Sequence, residues 1–80
     1  MLKIELFYNG DIDKQTPAMA DELISKYGDK IDMYLVDVSK ETSPAEYGTI
    51  NPPELVLGGK QKFKLEGPDS LKGIVQHAIF

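Results

Sequence analysis

The chain has 80 residues, a net charge of −4 and no cysteine. One domain of that size buries only about 60–65% of the surface its unfolded chain exposes, and no disulfide is available to help it. All nine basic residues are lysine, so the arginine fork that reads guanine and phosphate is missing, which argues against a nucleic-acid partner. No apolar run approaches the roughly 20 residues that cross a bilayer, so no membrane association is expected. The opening Met1-Leu-Lys-Ile-Glu5 lacks the apolar segment of a secretory signal, and a cytoplasmic protein is expected.

Taken in chain order, Leu2, Ile4 and Leu6 alternate with Lys3 and Glu5 before Phe7 and Tyr8, a period of two that predicts a strand. Asn9-Gly10-Asp11 supplies the turn that ends it. Ala20, Leu23, Ile24 and Tyr27 then share one helical face, with Gly28 as the stop. Two starts for this helix stand open: Thr16-Pro17 as cap and first residue, or Asp13 with Pro17 inside the first turn. Residues 31–38 predict a second strand, apolar on both sides at its centre, as suits a strand covered on both faces. Strand, helix and strand make a right-handed βαβ unit.

Ser43-Pro44-Ala45-Glu46 reads as a capping box opening a helix of little more than a turn before Gly48. A corner follows. Pro53 has no backbone donor, Pro52 is held out of the helical region by the next ring, and the Pro52–Pro53 bond is expected to be cis. Leu55-Val56-Leu57, a Gly58-Gly59 turn and residues 60–65 predict a hairpin. Lys60, Lys62 and Lys64 point to one side of its last strand. Such lysines blunt an exposed sheet edge, which places this strand at the edge; the alternative is a small basic docking stripe. After the Glu66-Gly67-Pro68 turn, Asp69 or Ser70 caps a final helix with Leu71, Ile74, Val75, Ala78 and Ile79 on one face.

The order is β-α-β, short helix, β-β-α, with a proline corner before the third strand. Tyr47-Gly48, Pro53, Leu55-Val56-Leu57, Gly59, Gly67 and Ser70-Leu-Lys-Gly73 fall in an order and spacing that resembles the thioredoxin fold, at glutaredoxin-like size. The resemblance covers nearly the whole chain. It implies an α/β fold with a four-stranded mixed sheet of order 2-1-3-4, helices on both faces and a structural cis-proline at Pro53. It also implies a Cys-x-x-Cys motif between the first strand and first helix, where the helix start lowers the attacking thiol's pKa. That window here reads Asn9-Gly10-Asp11-Ile12-Asp13-Lys14. The two cysteine positions fall on Gly10 and Asp13, or on Asn9 and Ile12 when Pro17 is aligned to the family's helix proline. Neither alignment finds a thiol, so disulfide exchange by the chain's own residues is ruled out, as is an iron–sulfur cluster held by cysteine.

The remaining signals have plain explanations. Asp11-x-Asp13 echoes a cation loop, but Thr16 and Pro17 stand where such a loop needs other residues, and two acids at a helix start suit its dipole. His77 lies opposite the apolar stripe and reads as solvent-exposed, whereas Tyr27 and Tyr34 read as packing residues. No phosphate loop, activated nucleophile or metal-spaced cluster is present, so no cofactor is implied. The reading is a redox-inactive binding module, a monomer or weak homodimer. An extended peptide or protein partner would lie between the loop Tyr8, Asn9, Gly10, Asp11, Ile12, Asp13 and the corner Asn51, Pro52, Pro53. The alternatives are an accessory subunit, an enzyme of non-thiol chemistry, or an assembly piece pairing through a sheet edge or helix face.

Overall fold

The computed structural model describes residues 2–42 and 45–80. Strand β1 (Leu2–Tyr8) leads to helix α1 (Gln15–Tyr27) and strand β2 (Ile31–Asp37). A 3-10 turn (Ala45–Tyr47) precedes the hairpin of β3 (Glu54–Leu57) and β4 (Gln61–Lys64), and helix α2 (Pro68–Ile79) closes the chain. The sheet order is β2-β1-β3-β4. β1 runs parallel to β2 and antiparallel to β3, and β4 is antiparallel to β3. This is the mixed sheet that the resemblance implied. The Ser43-Pro44 half of the capping box lies outside the described residues.

Strand alternation decides the faces. Ile4 and Leu6 are fully buried on one face, where register sets them beside Leu57 and Leu55 of β3 and beside Met33 and Leu35 of β2. Ala20, Leu23 and Tyr27 of α1 pack there together with Leu71 and Val75 of α2. Each fully buried aliphatic or aromatic side chain contributes about 1.5–3 kcal/mol, so this single cluster carries most of the fold. The opposite face holds Phe7, Glu54 and Val56. Its cover is the 3-10 turn, whose Tyr47 meets the Phe7 ring edge-on at 6.1 Å. Helical elements thus lie on both faces, but both α-helices share one of them.

That asymmetry corrects one expectation. Tyr34 is 48% exposed rather than packed. β2 is a sheet edge, and Tyr34 faces the sparsely covered side, where its hydroxyl donates to Asp32 at 2.8 Å. The final helix also starts earlier than Asp69 or Ser70 would allow. Pro68 is its first residue and Gly67 its cap, with no side-chain capping bond, because the proline ring presets a helical φ where no amide donor is required.

Gly58 and Gly59 make the hairpin with φ of 61° and 74°, values that only glycine adopts freely. The Pro52–Pro53 peptide is cis, and His77 is exposed. No helix of the described residues is long and apolar enough to cross a membrane.

Candidate functional site

The loop after β1 is a closed hydrogen-bonded turn. Of its backbone amides, Ile12 and Asp13 both donate to the Asn9 carbonyl, at 3.2 and 2.8 Å. The Asp11 amide donates to the Asn9 side chain at 3.1 Å. The Gly10 amide crosses to Asp37 Oδ1 at 2.9 Å. The four amides of residues 10–13 are therefore all satisfied within the protein.

The start of α1 is occupied in the same way. Asp13 Oδ1 accepts the amides of Gln15 and Thr16, at 3.1 and 3.0 Å, and the Thr16 hydroxyl donates to its other oxygen. These are orphan donors of the first turn, and an anion there interacts favourably with the helix dipole. Lys14 is the cap residue of the helix, Asp13 serves the first-turn amides from one residue before it, and Pro17 lies inside the first turn. In the resembled family this is where a thiolate gains its stabilisation. Here the chain's own carboxylate takes two first-turn amides and the Thr16 hydroxyl.

Asp37 was not legible as a site residue. The parallel register that pairs Tyr8 with Asp37 brings the end of β2 against the loop. There one carboxylate oxygen accepts from Gly10, from the Ser39 amide at 3.0 Å and from the Ser39 hydroxyl at 2.6 Å. The Ser39 hydroxyl first, and then the Gly10 amide, hold the Asp37 carboxyl below its ordinary pKa. A side chain at Gly10 would displace the Asp37 carboxylate, because an added Cβ would clash with Asp37 Oδ2. Gly10 suits the position for space, not for an unusual φ. The signal in the sequence was Asp37-Val-Ser39 at a strand end, the pattern of a side-chain turn, but its partner is visible only once β1 and β2 are aligned.

The proline corner is tied down by β4. Lys64 Nζ donates to the carbonyls of Asn51 and Pro52, at 2.7 and 3.2 Å, and Lys62 Nζ to those of Tyr47 and Thr49, at 2.9 and 3.2 Å. Pro53 O accepts the Leu65 amide at 3.0 Å. With no N–H on Pro52 or Pro53 and their carbonyls engaged, the corner offers little to a backbone ladder. Its usable surface is the apolar ring of Pro53. Tyr47 is fixed from the other side, its hydroxyl donating to Glu5 Oε1. That hydrogen bond, ahead of desolvation and the Glu5 charge, keeps the phenol protonated and raises its pKa to about 12. Glu54, directly after Pro53, is 8% exposed. Its Oε2 is buried with no hydrogen-bond partner among the described residues, while Lys64, its cross-strand neighbour, spends its ammonium on the loop carbonyls.

Of the nine residues expected to form one site, six divide between two hollows. An open groove of about 510 Å³ has Ile12, Asp13 and Thr16 on one wall and Pro53, Leu65, Gly67 and Pro68 on the other. Ile12 stands 83% exposed at its rim. Tyr8, Gly10 and Asp11 line a separate polar hollow of about 280 Å³ with Asp37 and Lys40, and Asp13 borders both. Burial, then the Asp37 charge, raises the pKa of the Tyr8 phenol there. Asn9 lines neither and serves the turn. Asn51 and Pro52 lie outside both and hold the corner through their carbonyls.

A mixed sheet in this order, a proline corner beside the start of α1 and a helix returning at Gly67 give a thioredoxin-like fold. Among solved structures, the germline-specific thioredoxin Deadhead (Thioredoxin-1) of Drosophila melanogaster superposes with a TM-score of 0.70 at 24% identity, over 96% of this chain and 78% of that one. At that identity the likeness speaks for the fold alone. The chain has a thioredoxin-like fold and no cysteine. No family model and no curated protein matches the sequence.

Proposed function

We propose that the protein is a redox-inactive, non-enzymatic binding module that holds an extended peptide or protein segment in the groove between Ile12 and Pro53. The observation that carries this reading is Ile12, a large aliphatic side chain 83% exposed on a turn whose own amides are all used. Across the groove, Pro53 and Pro68 are apolar and half-buried. Their surface and that of Ile12 gain from burial at about 25 cal/mol per Å². Recognition is through side chains and apolar contact, since Pro52 and Pro53 have no amide to donate and Asp13 takes the Gln15 and Thr16 amides. The chemistry that would make the groove catalytic is absent, and the groove itself remains.

The test is selection of binders from a random peptide library, followed by amide-shift mapping of the best one on the isotope-labelled protein. Shifts should concentrate at Ile12, Thr16, Leu65 and Gly67, and Ile12→Glu should abolish them without unfolding an exposed position. Failure to select any binder, or shifts away from these residues that survive Ile12→Glu, would overturn the reading.

A further inference from the structure

A second surface lies at the opposite end of the sheet. β4 is an edge strand, and its hydrogen bonding to β3 fixes which groups are free. The Leu65 amide bonds to Pro53 and the register opposes Phe63 to Leu55, so by the alternation of an antiparallel pair these are the bonded positions. The backbone N–H and C=O groups of Lys62 and Lys64 therefore point outward, with no strand beyond them among the described residues. Directly beneath this edge is an apolar groove of about 450 Å³, formed by Leu57 and Phe63 of the hairpin and by Gly73, Ile74, His77 and Ala78 of α2. A strand added at the edge would set alternate side chains over that groove.

Charge identifies the occupant. Eleven of the thirteen acids but only five of the nine lysines lie in residues 1–54. Residues 55–80 carry Lys60, Lys62, Lys64, Lys72 and His77 against two acids, Glu66 and Asp69, and β4 itself holds no acid. On an acidic protein the β4 side is thus a basic edge over an apolar floor. A symmetric pairing of two β4 strands would set lysine against lysine, which opposes it. Pairing β4 of one copy with the acidic β2 edge of another leaves each end open and does not close.

We propose that this edge takes an acidic extended segment of a partner protein as a fifth strand, its acids alternating with aliphatic residues. The acids lie on the face of Lys62 and Lys64, whose exposed ammoniums each keep a third N–H beyond the two loop carbonyls they already serve, while the aliphatic side chains fill the groove. The site is independent of the Ile12 groove.

The probe is a synthetic eight-residue peptide alternating glutamate with isoleucine, titrated into the labelled protein. Saturating shifts are expected at Lys62, Lys64, Ile74 and Ala78, with slowed exchange of the Lys62 and Lys64 amides. Raising the salt to about 1 M, where the screening length is about 3 Å, should weaken binding several-fold. Gly73→Glu is the deciding variant. A Cβ at Gly73 meets open space and the change removes a helix-interior glycine, so the variant folds, yet it puts an acid and bulk into the groove. It should weaken the peptide at least about tenfold, equivalent to about 1.4 kcal/mol. The proposal is overturned by an absence of saturable shifts, by shifts at Ile12 and Leu65 instead, or by equal affinity for the lysine–isoleucine counterpart. It is equally overturned if dilution of the protein alone reproduces the shifts, which would assign the edge to a second copy.

Discussion

Replacing Glu54 by leucine should stabilise this protein. The carboxylate sits in β3, 8% exposed, with Oε2 buried and unpartnered among the described residues. Leaving a buried polar atom unsatisfied costs about 1–3 kcal/mol, more when it is charged. Leucine branches one carbon earlier and is one carbon shorter, so it removes the cost while leaving only a small gap for Val56 beside it and Phe7 across from it to close. Glu54→Gln drops the charge but keeps two polar atoms to satisfy, so it should gain less. The expected order of stability is leucine, glutamine, glutamate, with leucine about 1–3 kcal/mol above the parent. For a domain of this length each kcal/mol moves the thermal midpoint by about 4–8 °C. Urea melts should show a higher midpoint at unchanged slope. A leucine variant no more stable than the parent would refute the reasoning, because it would mean the carboxylate is satisfied in the folded protein.

Gly10→Ala should lower stability, because the new methyl displaces the Asp37 carboxylate from the Gly10 amide. In an Asp37→Ala background the same change should instead stabilise by about 0.4–1 kcal/mol through the unfolded chain; equal effects in the two backgrounds would break the link. Because the Asp37 carboxyl is held below its ordinary value, its contribution is fully present above the unfolded pKa of about 3.9 and disappears as the pH falls through the depressed value. Titration of the Gly10 amide shift follows this directly. Ile12→Cys should give a thiol with a pKa no lower than about 8.5, read from thiolate absorbance, since Asp13 already occupies the helix start; a strongly depressed value would show free donors there. Tyr47 should ionise near pH 12 in an ultraviolet titration. Its raised pKa contributes stability below pH ~10 that is lost as the pH climbs toward that value, and Tyr47→Phe should remove this part of the alkaline profile.

The architecture was legible wherever a local pattern determined it. Alternation through Leu2, Ile4 and Leu6 assigned both a strand and its inward face, and Ala20, Leu23 and Tyr27 gave the face of α1. Gly58-Gly59 marked a turn that needs positive φ. The site was legible in outline only, because its parts are joined by tertiary register. Asp37 reaches Gly10 through the pairing of β1 with β2, and Lys62 and Lys64 reach the 47–52 loop across the sheet from a strand that local sequence shows only as a charged edge. Tyr34 looked like a packing residue because the pattern of β2 does not reveal which face lacks a helix. The division of Tyr8 and Ile12 between two hollows follows from the turn at Asn9, whose carbonyl accepts two amides and directs neighbouring side chains to opposite sides.

The most direct test of the binding-module account is site-resolved photo-crosslinking, with a photoreactive amino acid placed at Ile12 and, in a second protein, at Ile24. Both positions are exposed, at 83% and 38%, but only Ile12 borders the groove. The account expects a discrete protein adduct in an extract of the native source from position 12, competed away by excess unlabelled protein and absent from position 24. The same adduct pattern from both positions, or none from position 12, would contradict it.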